Sequence, residues 1–208
     1  MIITQKNHIA TTLTELFNDS KSDRLKIMKG LSKSVFRPIQ AIDFKDVYLS
    51  ISKKQGTDLV QLIKANKIKN IIEFGTSFGI STLFLAEGVI ATNGHIITTE
   101  LIASKAEKAI KNFKKAAVDN LIEVRVGNAL ETLKNHNESI DLLLLDGWKN
   151  LYFPIFKMLE PNFNKKTIIY VDNADMREVK EFLKEVSKNS KYKIASKYNG
   201  KVAYITLA

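Results

Sequence analysis

The stretch IIEFGTSFGISTLFLA at residues 71–86 has the pattern of a buried strand, a turn with two glycines, and a helix. The apolar run at its start is typical of a parallel strand that is covered on both faces. Gly75 and Gly79 lie in the turn, where glycine permits positive φ and a close approach of a ligand to the backbone. The stretch therefore predicts the first strand-turn-helix unit of a nucleotide-binding type of fold.

The same alternation continues along the chain. Short runs rich in leucine or β-branched residues recur at 70–74, 95–100, 121–126, 140–146 and 167–172. Helical patterns occupy 80–90, 103–117, 129–135, 151–160 and 175–188. Strands that alternate with helices predict an α/β fold, with a parallel sheet and helices on both of its faces.

The C-terminal part departs from this alternation. Residues 192–207, YKIASKYNGKVAYITL, form two alternating stretches around Asn199-Gly200. Asn-Gly favours a hairpin, because both residues of such a turn need positive φ. The sheet is therefore predicted to end in an antiparallel pair, which differs from a six-stranded parallel dinucleotide-binding fold.

The composition is that of an ordinary globular chain of 208 residues, enough for one domain with an appended segment. No apolar run approaches the roughly 18 residues of a membrane helix, and the N-terminal residues lack the pattern of a signal peptide. Because the chain has no cysteine, disulfides, a thiolate nucleophile and a cysteine-based zinc site are excluded. A cytoplasmic location is expected.

The net charge of +10 comes almost entirely from lysine, since arginine occurs only at positions 24, 37, 125 and 177. Lysines such as those in SKAEKAIKNFKKAA at 104–117 predict a solvated helix face. A coding bias would also enrich lysine. A nucleic-acid partner stays an alternative, although such partners often rely on arginine for bidentate contacts.

Two acidic residues at strand ends indicate what the glycine turn binds. Glu73 lies near the end of the first strand, and Glu100 ends the next one, where a carboxylate can accept hydrogen bonds from ribose hydroxyls. Gly127 and Asn128 follow the third strand and could border an adenine. The turn matches neither G-x-G-x-x-G nor a Walker A loop, so a purely structural turn is the alternative. Together these features predict a cofactor of the nucleoside type.

A second constellation follows two later strands. In LLLLDGWKNLY at 142–152 an apolar run is followed by Asp146. TIIYVDN at 167–173 ends in Asp172 and Asn173. If these strands are neighbours, their ends lie about 5 Å apart at the ligand-binding edge of the sheet. Two carboxylates and an amide oxygen suit Mg²⁺ or Ca²⁺. The alternatives are a helix cap at Asp146 and a turn at Asp172-Asn173.

These motifs occur in one order between about residues 47 and 190: EFGTSFGISTLFLA, the strand-end Glu100, DGWK and DN. In that order they resemble the class I S-adenosylmethionine-dependent O-methyltransferases, above all the branch of catechol O-methyltransferase and its bacterial relatives. The resemblance implies a Rossmann-like methyltransferase fold. Its sheet is seven-stranded and mostly parallel, in the order 3-2-1-4-5-7-6 with strand 7 antiparallel, which agrees with the predicted hairpin.

The resemblance also implies S-adenosyl-L-methionine as the cofactor and assistance by a divalent metal. In the family the residues that match Glu73, Gly75 and Ser81 contact the methionine part of the cofactor, and the one that matches Glu100 holds the ribose. The predicted cofactor-binding residues are Glu73, Gly75, Thr76, Ser77, Ser81, Glu100, Leu101, Gly127, Asn128, Ala129, Asp146 and Trp148. The predicted metal ligands are Asp146, Asp172 and Asn173.

The resemblance implies that Lys149 is the general base and that Asp146 shares in catalysis. Physically, the acceptor hydroxyl must lose its proton as it attacks the methyl carbon, and a nearby amine can take that proton. Trp148 is expected to wall the acceptor pocket. An ordinary surface lysine at 149 and an ordinary packing role for Trp148 are the alternatives.

The resemblance to this family is weaker near both ends of the chain. Catechol-type enzymes carry a carboxylate near the C-terminal hairpin, but no acid follows Glu185 here, so an acceptor other than catechol is predicted. Residues 1–46 are expected to form a helical segment that serves as a lid or a homodimer contact, and 47–208 the methyltransferase domain.

Transfer of a methyl group to a small-molecule hydroxyl is the first functional hypothesis. The alternatives are a tRNA or RNA methyltransferase of the same fold and a cofactor-binding protein without catalytic activity.

Overall fold

The structure is a computed structural model that describes residues 2–21, 23, 28, 40–48 and 50–208. The strands are β1 (Asn70–Phe74), β2 (His95–Glu100), β3 (Ile122–Val126), β4 (Ile140–Leu145), β5 (Phe163–Asp172), β6 (Tyr192–Lys197) and β7 (Val202–Leu207). The α-helices are α1 (Ile2–Ser20), α2 (Lys53–Asn66), α3 (Ile80–Val89), α4 (Ala103–Lys115), α5 (Ala129–Thr132), α6 (Tyr152–Leu159) and α7 (Arg177–Ser187). Short 3₁₀ helices span Ala41–Phe44, Asp119–Leu121, Lys149–Leu151 and Glu160–Asn162.

The strands form one seven-stranded sheet in the order β3-β2-β1-β4-β5-β7-β6. β1 pairs in parallel with both β2 and β4, and β4 pairs in parallel with β5. β7 runs antiparallel to both of its neighbours, β5 and β6. The predicted fold class is confirmed. The strand order reverses between β1 and β4, which puts the ligand crevice of such a sheet at the carboxyl ends of these two strands.

Helices cover both faces of the sheet, because side chains alternate along each strand. Ile71 and Leu142 belong to one buried cluster, to which α1, α2, α3 and α4 contribute. Ile72 and Leu143 belong to the other cluster, to which α5, α6 and α7 contribute. Both faces of the central strands are therefore buried under apolar side chains, as the continuous apolar runs predict.

Helix α1 packs into the first of these clusters through Ile9, Leu13 and Leu16. The periodicity of IATTLTELF at 9–17 therefore corresponds to an observed helix. DRLKIMKGL at 23–31 also has helical periodicity, but it lies mostly outside the described residues. The roles of lid or homodimer contact for residues 1–46 stay predictions. No helix among the described residues is long and apolar enough to span a membrane.

Several element boundaries differ from the sequence prediction by a few residues. β5 begins at Phe163 rather than at 167, because Phe163 pairs with Ile140 before the register shifts. The hairpin turn is wider than two residues, since Lys197 pairs with Val202 and leaves residues 198–201 as the loop. Asn199 and Gly200 both have positive φ, as predicted, and so does Tyr198.

Candidate active site

Gly75 brings the loop after β1 against the loop after β4. Its φ is +111°, and a Cβ there would lie 2.8 Å from the backbone oxygen of Asp146 and 2.8 Å from the backbone nitrogen of Gly147. The backbone N–H of Asp146 donates to the carbonyl of Phe74 at 3.0 Å. Glycine is therefore needed here because two parts of the chain contact each other. The sequence predicted instead that glycine allows a ligand to approach the backbone.

The carboxylate of Glu100 is held by backbone donors at the end of β2. The N–H of Ser77 donates to Oε2 at 2.8 Å, and the N–H of Ile102 donates to Oε1 at 2.9 Å. Ser77 itself has a φ of 50°, a conformation that a non-glycine residue adopts at a cost. Glu100 thus links the glycine loop, residues 75–79, to the end of the second strand.

Glu73 lies beneath the glycine loop and is fully buried. Its Oε2 accepts hydrogen bonds from the hydroxyls of Thr82 and Thr98 at 2.5 and 2.6 Å, while Oε1 has no partner among the described residues. Burial raises the pKa of Glu73, and the nearby hydroxyls of Ser81, Thr82 and Thr98 oppose that rise. Oε1 is thus the buried oxygen of this carboxylate that is left for a further partner.

Lys105 departs from the prediction of a solvated lysine face on α4. It is only 4% exposed, and its ammonium donates to the carbonyl of Val47 at 3.0 Å and to Oγ of Ser77 at 3.3 Å. Burial lowers the pKa of Lys105, and the charge of Glu100 opposes that change. The side chain therefore ties the chain segment before α2 to the glycine loop.

A small cavity lies between that segment and the loop. Its volume is about 10 Å³, roughly the space of one water molecule. The residues that line it are Tyr48, Ser50, Thr76, Ser77, Phe78, Ile80 and Ser81. Thr76, Ser77 and Ser81, all predicted to contact the cofactor, therefore face a common space. With Tyr48 and Ser50 in their present positions, this space is too small for a ligand larger than water.

Four further predicted cofactor residues, Leu101, Gly127, Asn128 and Ala129, follow β2 and β3. Leu101 is 58% exposed. Gly127 has a φ of +126°, and its N–H donates to the carbonyl of Glu100 at 2.8 Å. The side chain of Asn128 accepts from the N–H of Leu130 at 3.1 Å and so caps α5, while Ala129 is buried. The exposed apolar surface of Leu101 is the kind of wall that a flat base packs against.

Asp146, Lys149 and Asp172 come together at the ends of β4 and β5. The ammonium of Lys149 lies 3.6 Å from Oδ1 of Asp146, and the two side chains are 19% and 10% exposed. The carboxyl groups of Asp146 and Asp172 lie against each other, close enough that each affects the pKa of the other. The two acidic strand ends that the sequence placed at one edge of the sheet are in direct contact.

The negative charge of Asp146 and Asp172 is only partly compensated by Lys149. Burial raises the pKa of Asp146 well above its usual range, and although Lys149 opposes the rise, Asp172 and Glu73 add to it. Burial likewise raises the pKa of Asp172, against the effect of Lys149. Two buried acids that lie against each other cannot both ionise without cost.

Asn173 serves the turn after β5. Its φ is 57°, its N–H contacts the carboxylate of Asp172, and its carbonyl accepts from the N–H of Met176 at 2.9 Å. The turn-forming alternative thus describes its backbone, and the predicted ligand role of its side chain stays a prediction. Among the described residues no three His, Cys, Asp or Glu side chains form a metal-binding group. The predicted set contains only two such acids.

Two neighbours of the acidic pair were not predicted from the sequence. The amide nitrogen of Gln55 donates to Oδ1 of Asp172 at 3.0 Å, and the hydroxyl of Tyr152 donates to the carbonyl of Asp172 at 3.4 Å. The ring of Tyr152 lies 5.3 Å from the ammonium of Lys149. Trp148 is 39% exposed, which does not fit a plain core residue.

Comparison with known proteins shows which family this chain belongs to. Residues 19–203 match the family model described as O-methyltransferase. The chain belongs to the O-methyltransferase family. Its relatives include catechol O-methyltransferases of Niastella koreensis, 31% identical over 130 residues, and of Mycobacterium tuberculosis, 32% identical over 127 residues. Each match covers 61% of this chain but only 58% and 57% of those relatives.

Solved structures share the fold of this family member. An O-methyltransferase from Bacillus cereus in complex with SAH has a TM-score of 0.71 and 20% identity over 88% of this chain and 97% of its own. An SAH-bound methyltransferase of Podospora anserina has a TM-score of 0.72 and 20% identity over 89% of this chain and 88% of its own. Both likenesses extend well beyond the glycine loop to most of the chain.

Proposed function

We propose that this protein is an S-adenosylmethionine-dependent O-methyltransferase that acts on a hydroxyl of a small molecule with the help of a divalent metal. The observation that carries the proposal is the position of Asp146. Its backbone touches Gly75 of the cofactor-type loop, while its side chain meets Lys149 and Asp172. A methyl donor and a proton acceptor would thus share one site. The names of the catechol-specific relatives and the SAH-bound neighbours support the same reaction.

Different groups of residues would hold the ribose, the adenine and the methionine part of the cofactor. Glu100, fixed by two backbone N–H groups, would accept hydrogen bonds from the ribose hydroxyls. Leu101 and Gly127 to Ala129 would surround the adenine. The methionine part would lie over Gly75, Thr76, Ser77 and Ser81, within reach of Oε1 of Glu73. Asp146 and Trp148 would close the side of the crevice that faces the acceptor.

The acidic pair fits a divalent cation by the chemistry of its donors. Asp146 and Asp172 offer carboxylate oxygens, Asn173 offers an amide oxygen, and hard oxygen ligands are those that Mg²⁺ and Ca²⁺ take. The charge of the two buried carboxylates is balanced only in part by Lys149. When bound, such a cation would lower the pKa of an acceptor hydroxyl and so favour its ionised form.

Lys149 would take the acceptor's proton. The acceptor oxygen would form a bond to the methyl carbon as the carbon–sulfur bond breaks, and the electron pair of that bond would stay on sulfur to leave S-adenosylhomocysteine. The released proton would go to the Lys149 amine, whose nitrogen lies 3.6 Å from Oδ1 of Asp146. Much of the rate would come from alignment of oxygen, methyl carbon and sulfur, which contributes about 7–11 kcal/mol in favourable cases.

We propose an aromatic hydroxyl compound other than catechol as the acceptor. The half-exposed Trp148 beside Asp146 offers a face on which a ring can pack. The hairpin of β6 and β7 carries no acid, so it offers no carboxylate for a second hydroxyl. A cytoplasmic location and a homodimer stay predictions from the sequence.

Ligand-dependent thermal unfolding tests the cofactor. S-adenosylhomocysteine at 100 times its Kd should stabilise the fold by about 2.7 kcal/mol, and Mg²⁺ should add to the shift. An absent shift with S-adenosylmethionine and S-adenosylhomocysteine alike would contradict both this proposal and the RNA-methyltransferase alternative. A shift that ignores Mg²⁺, Mn²⁺ and Ca²⁺ would contradict the metal.

Transfer of labelled methyl groups to a panel of phenolic acceptors and to tRNA tests the reaction. We expect turnover on a phenol that is lost with a chelator. Turnover on tRNA, with binding that weakens steeply with salt, would favour the RNA alternative. Cofactor binding without turnover on any acceptor would favour the protein without catalytic activity.

A further inference from the structure

Gln55 occupies the third position of α2 and takes part in the cap of that helix. The hydroxyl of Ser52, the N-cap, accepts from the N–H of Gln55 at 3.2 Å. In return Oε1 of Gln55 accepts from the N–H of Ser52 at 2.9 Å and from its hydroxyl at 2.8 Å. This reciprocal pair is a capping box, and it would suffice as a structural reason for Gln or Glu at this position.

The cap also fixes the direction in which the Gln55 amide points. A backbone N–H is only a donor, so the amide oxygen must face Ser52. The amide NH₂ must then face away from Ser52, and there it donates to Oδ1 of Asp172 at 3.0 Å. The orientation of the amide therefore follows from its partners and not from an arbitrary choice between oxygen and nitrogen.

The choice of glutamine over glutamate is not explained by the cap. Either residue completes a capping box. Glutamate would lack the donor for Asp172 and would place a third carboxylate beside the buried pair of Asp146 and Asp172. What distinguishes glutamine here is the hydrogen bond that it offers to Asp172.

We propose that Gln55 is a positioning residue, which holds the carboxylate of Asp172 toward Asp146 in the arrangement that binds the divalent cation. This inference rests on the metal site of the proposed function. Gln55 adds no charge of its own, and it joins the beginning of α2 to the end of β5 across 117 residues of sequence. Partners that orient a ligand in this way typically contribute 10–100-fold to metal affinity.

Two variants separate positioning from capping. In Gln55→Met the amide is lost, so both the cap partner and the donor to Asp172 disappear. Ser52→Ala is the matched control, because it removes the cap hydroxyl but keeps the backbone N–H that orients Gln55. The probe is Mg²⁺, titrated calorimetrically into the full chain saturated with S-adenosylhomocysteine.

We expect Gln55→Met to weaken Mg²⁺ binding by about 10–100-fold, with the affinity for S-adenosylhomocysteine within about twofold of wild type. Ser52→Ala should lower Tm and leave Mg²⁺ binding unchanged. Equal Mg²⁺ affinities of wild type and Gln55→Met would overturn this inference alone. A wild-type protein that binds S-adenosylhomocysteine but no Mg²⁺ would overturn the proposed metal site and this inference with it.

A swapped pair keeps the inference testable if Gln55→Met does not fold. Gln55→Glu retains the capping box but faces Asp172 with an acceptor, so Tm without metal should fall. Adding Asp172→Asn restores a donor and an acceptor in reversed positions, and Tm should recover. Failure of the double variant to recover would show that Gln55 and Asp172 do not act as a pair.

Discussion

The carboxylate at the end of β2 and the two at the ends of β4 and β5 have opposite surroundings. Glu100 accepts two backbone hydrogen bonds, at 2.8 and 2.9 Å. Asp146 and Asp172 contact each other, and burial raises the pKa of both. The cofactor side is thus organised by the chain itself, whereas the acceptor side carries negative charge that the chain compensates only in part.

This difference teaches which side of the site depends on a further ion. A carboxylate fixed by backbone N–H groups is ready for a neutral hydroxyl partner such as ribose. Two buried acids that repel each other are costly in the protein alone, and cost of this kind is tolerated at functional sites. The predictions below test the two sides separately.

The largest effect is expected at Lys149. Lys149→Met removes the proposed proton acceptor but preserves much of the side-chain length, so turnover should fall by about 10²–10⁴-fold. The affinity for S-adenosylhomocysteine should stay within about twofold, since Glu100 and the glycine loop are untouched. Labelled methyl transfer and calorimetry measure the two quantities. Unchanged turnover would return Lys149 to an ordinary surface role.

A large effect on stability is expected where the two sides touch. Gly75→Ala places a methyl group 2.8 Å from the backbone of Asp146 at a φ of +111°, so it should lower the free energy of unfolding by about 2–4 kcal/mol. Gly200→Ala is the control, because its φ is +87° but no described atom lies within 4 Å of the added Cβ. The control should cost about 1 kcal/mol. Equal costs in chemical denaturation would refute the close contact.

The two sides should also respond separately to loss of a carboxylate. Glu100→Gln should weaken S-adenosylhomocysteine binding by about 10–100-fold, because hydrogen bonds to a charged group contribute roughly 1.5–3 kcal/mol. It should leave Mg²⁺ binding nearly unchanged. Asp172→Asn should have the reverse pattern in the same titrations. If each variant impaired both ligands equally, the division of the site would be wrong.

The smallest effect concerns the pH dependence of stability through Glu73. Burial raises its folded-state pKa above the ordinary value of 4.5. The folded protein therefore binds more protons than the unfolded chain between 4.5 and the folded-state pKa, and stability falls as pH rises through that window. In Glu73→Gln this contribution is absent, so Tm relative to wild type should increase with rising pH. A pH-independent difference in Tm would contradict a raised pKa.

Much of the fold, and the meeting of Asp146 and Asp172 at one edge of the sheet, could be predicted from the sequence, because both follow local patterns. The leucine run that ends in Asp146 and the isoleucine run that ends in Asp172 define buried strands, and parallel strands bring such ends together. Asn199-Gly200 similarly predicts the hairpin that makes β7 antiparallel. Matches of this kind need only neighbouring residues and the general rules of sheets.

The contacts that were missed are long-range or contrary to residue type. Gln55 meets Asp172 across 117 residues, and no local pattern pairs them. Lys105 lies among exposed lysines of α4, yet it shares the buried face of Ala109 and Phe113. Its four-residue spacing from Ala109 was the available signal, and the preference of lysine for water concealed it. The wider turn at 198–201 depends on strand register, which the Asn-Gly pair alone does not fix.

Diffraction from crystals grown with S-adenosylhomocysteine and Mn²⁺ tests the central claim most directly. The account predicts an anomalous manganese peak bound by Asp146, Asp172 and Asn173, with S-adenosylhomocysteine in the crevice between the glycine loop and Glu100. Manganese at another place, or S-adenosylhomocysteine away from the ends of β1 and β2, would contradict a single reaction centre at the ends of these strands.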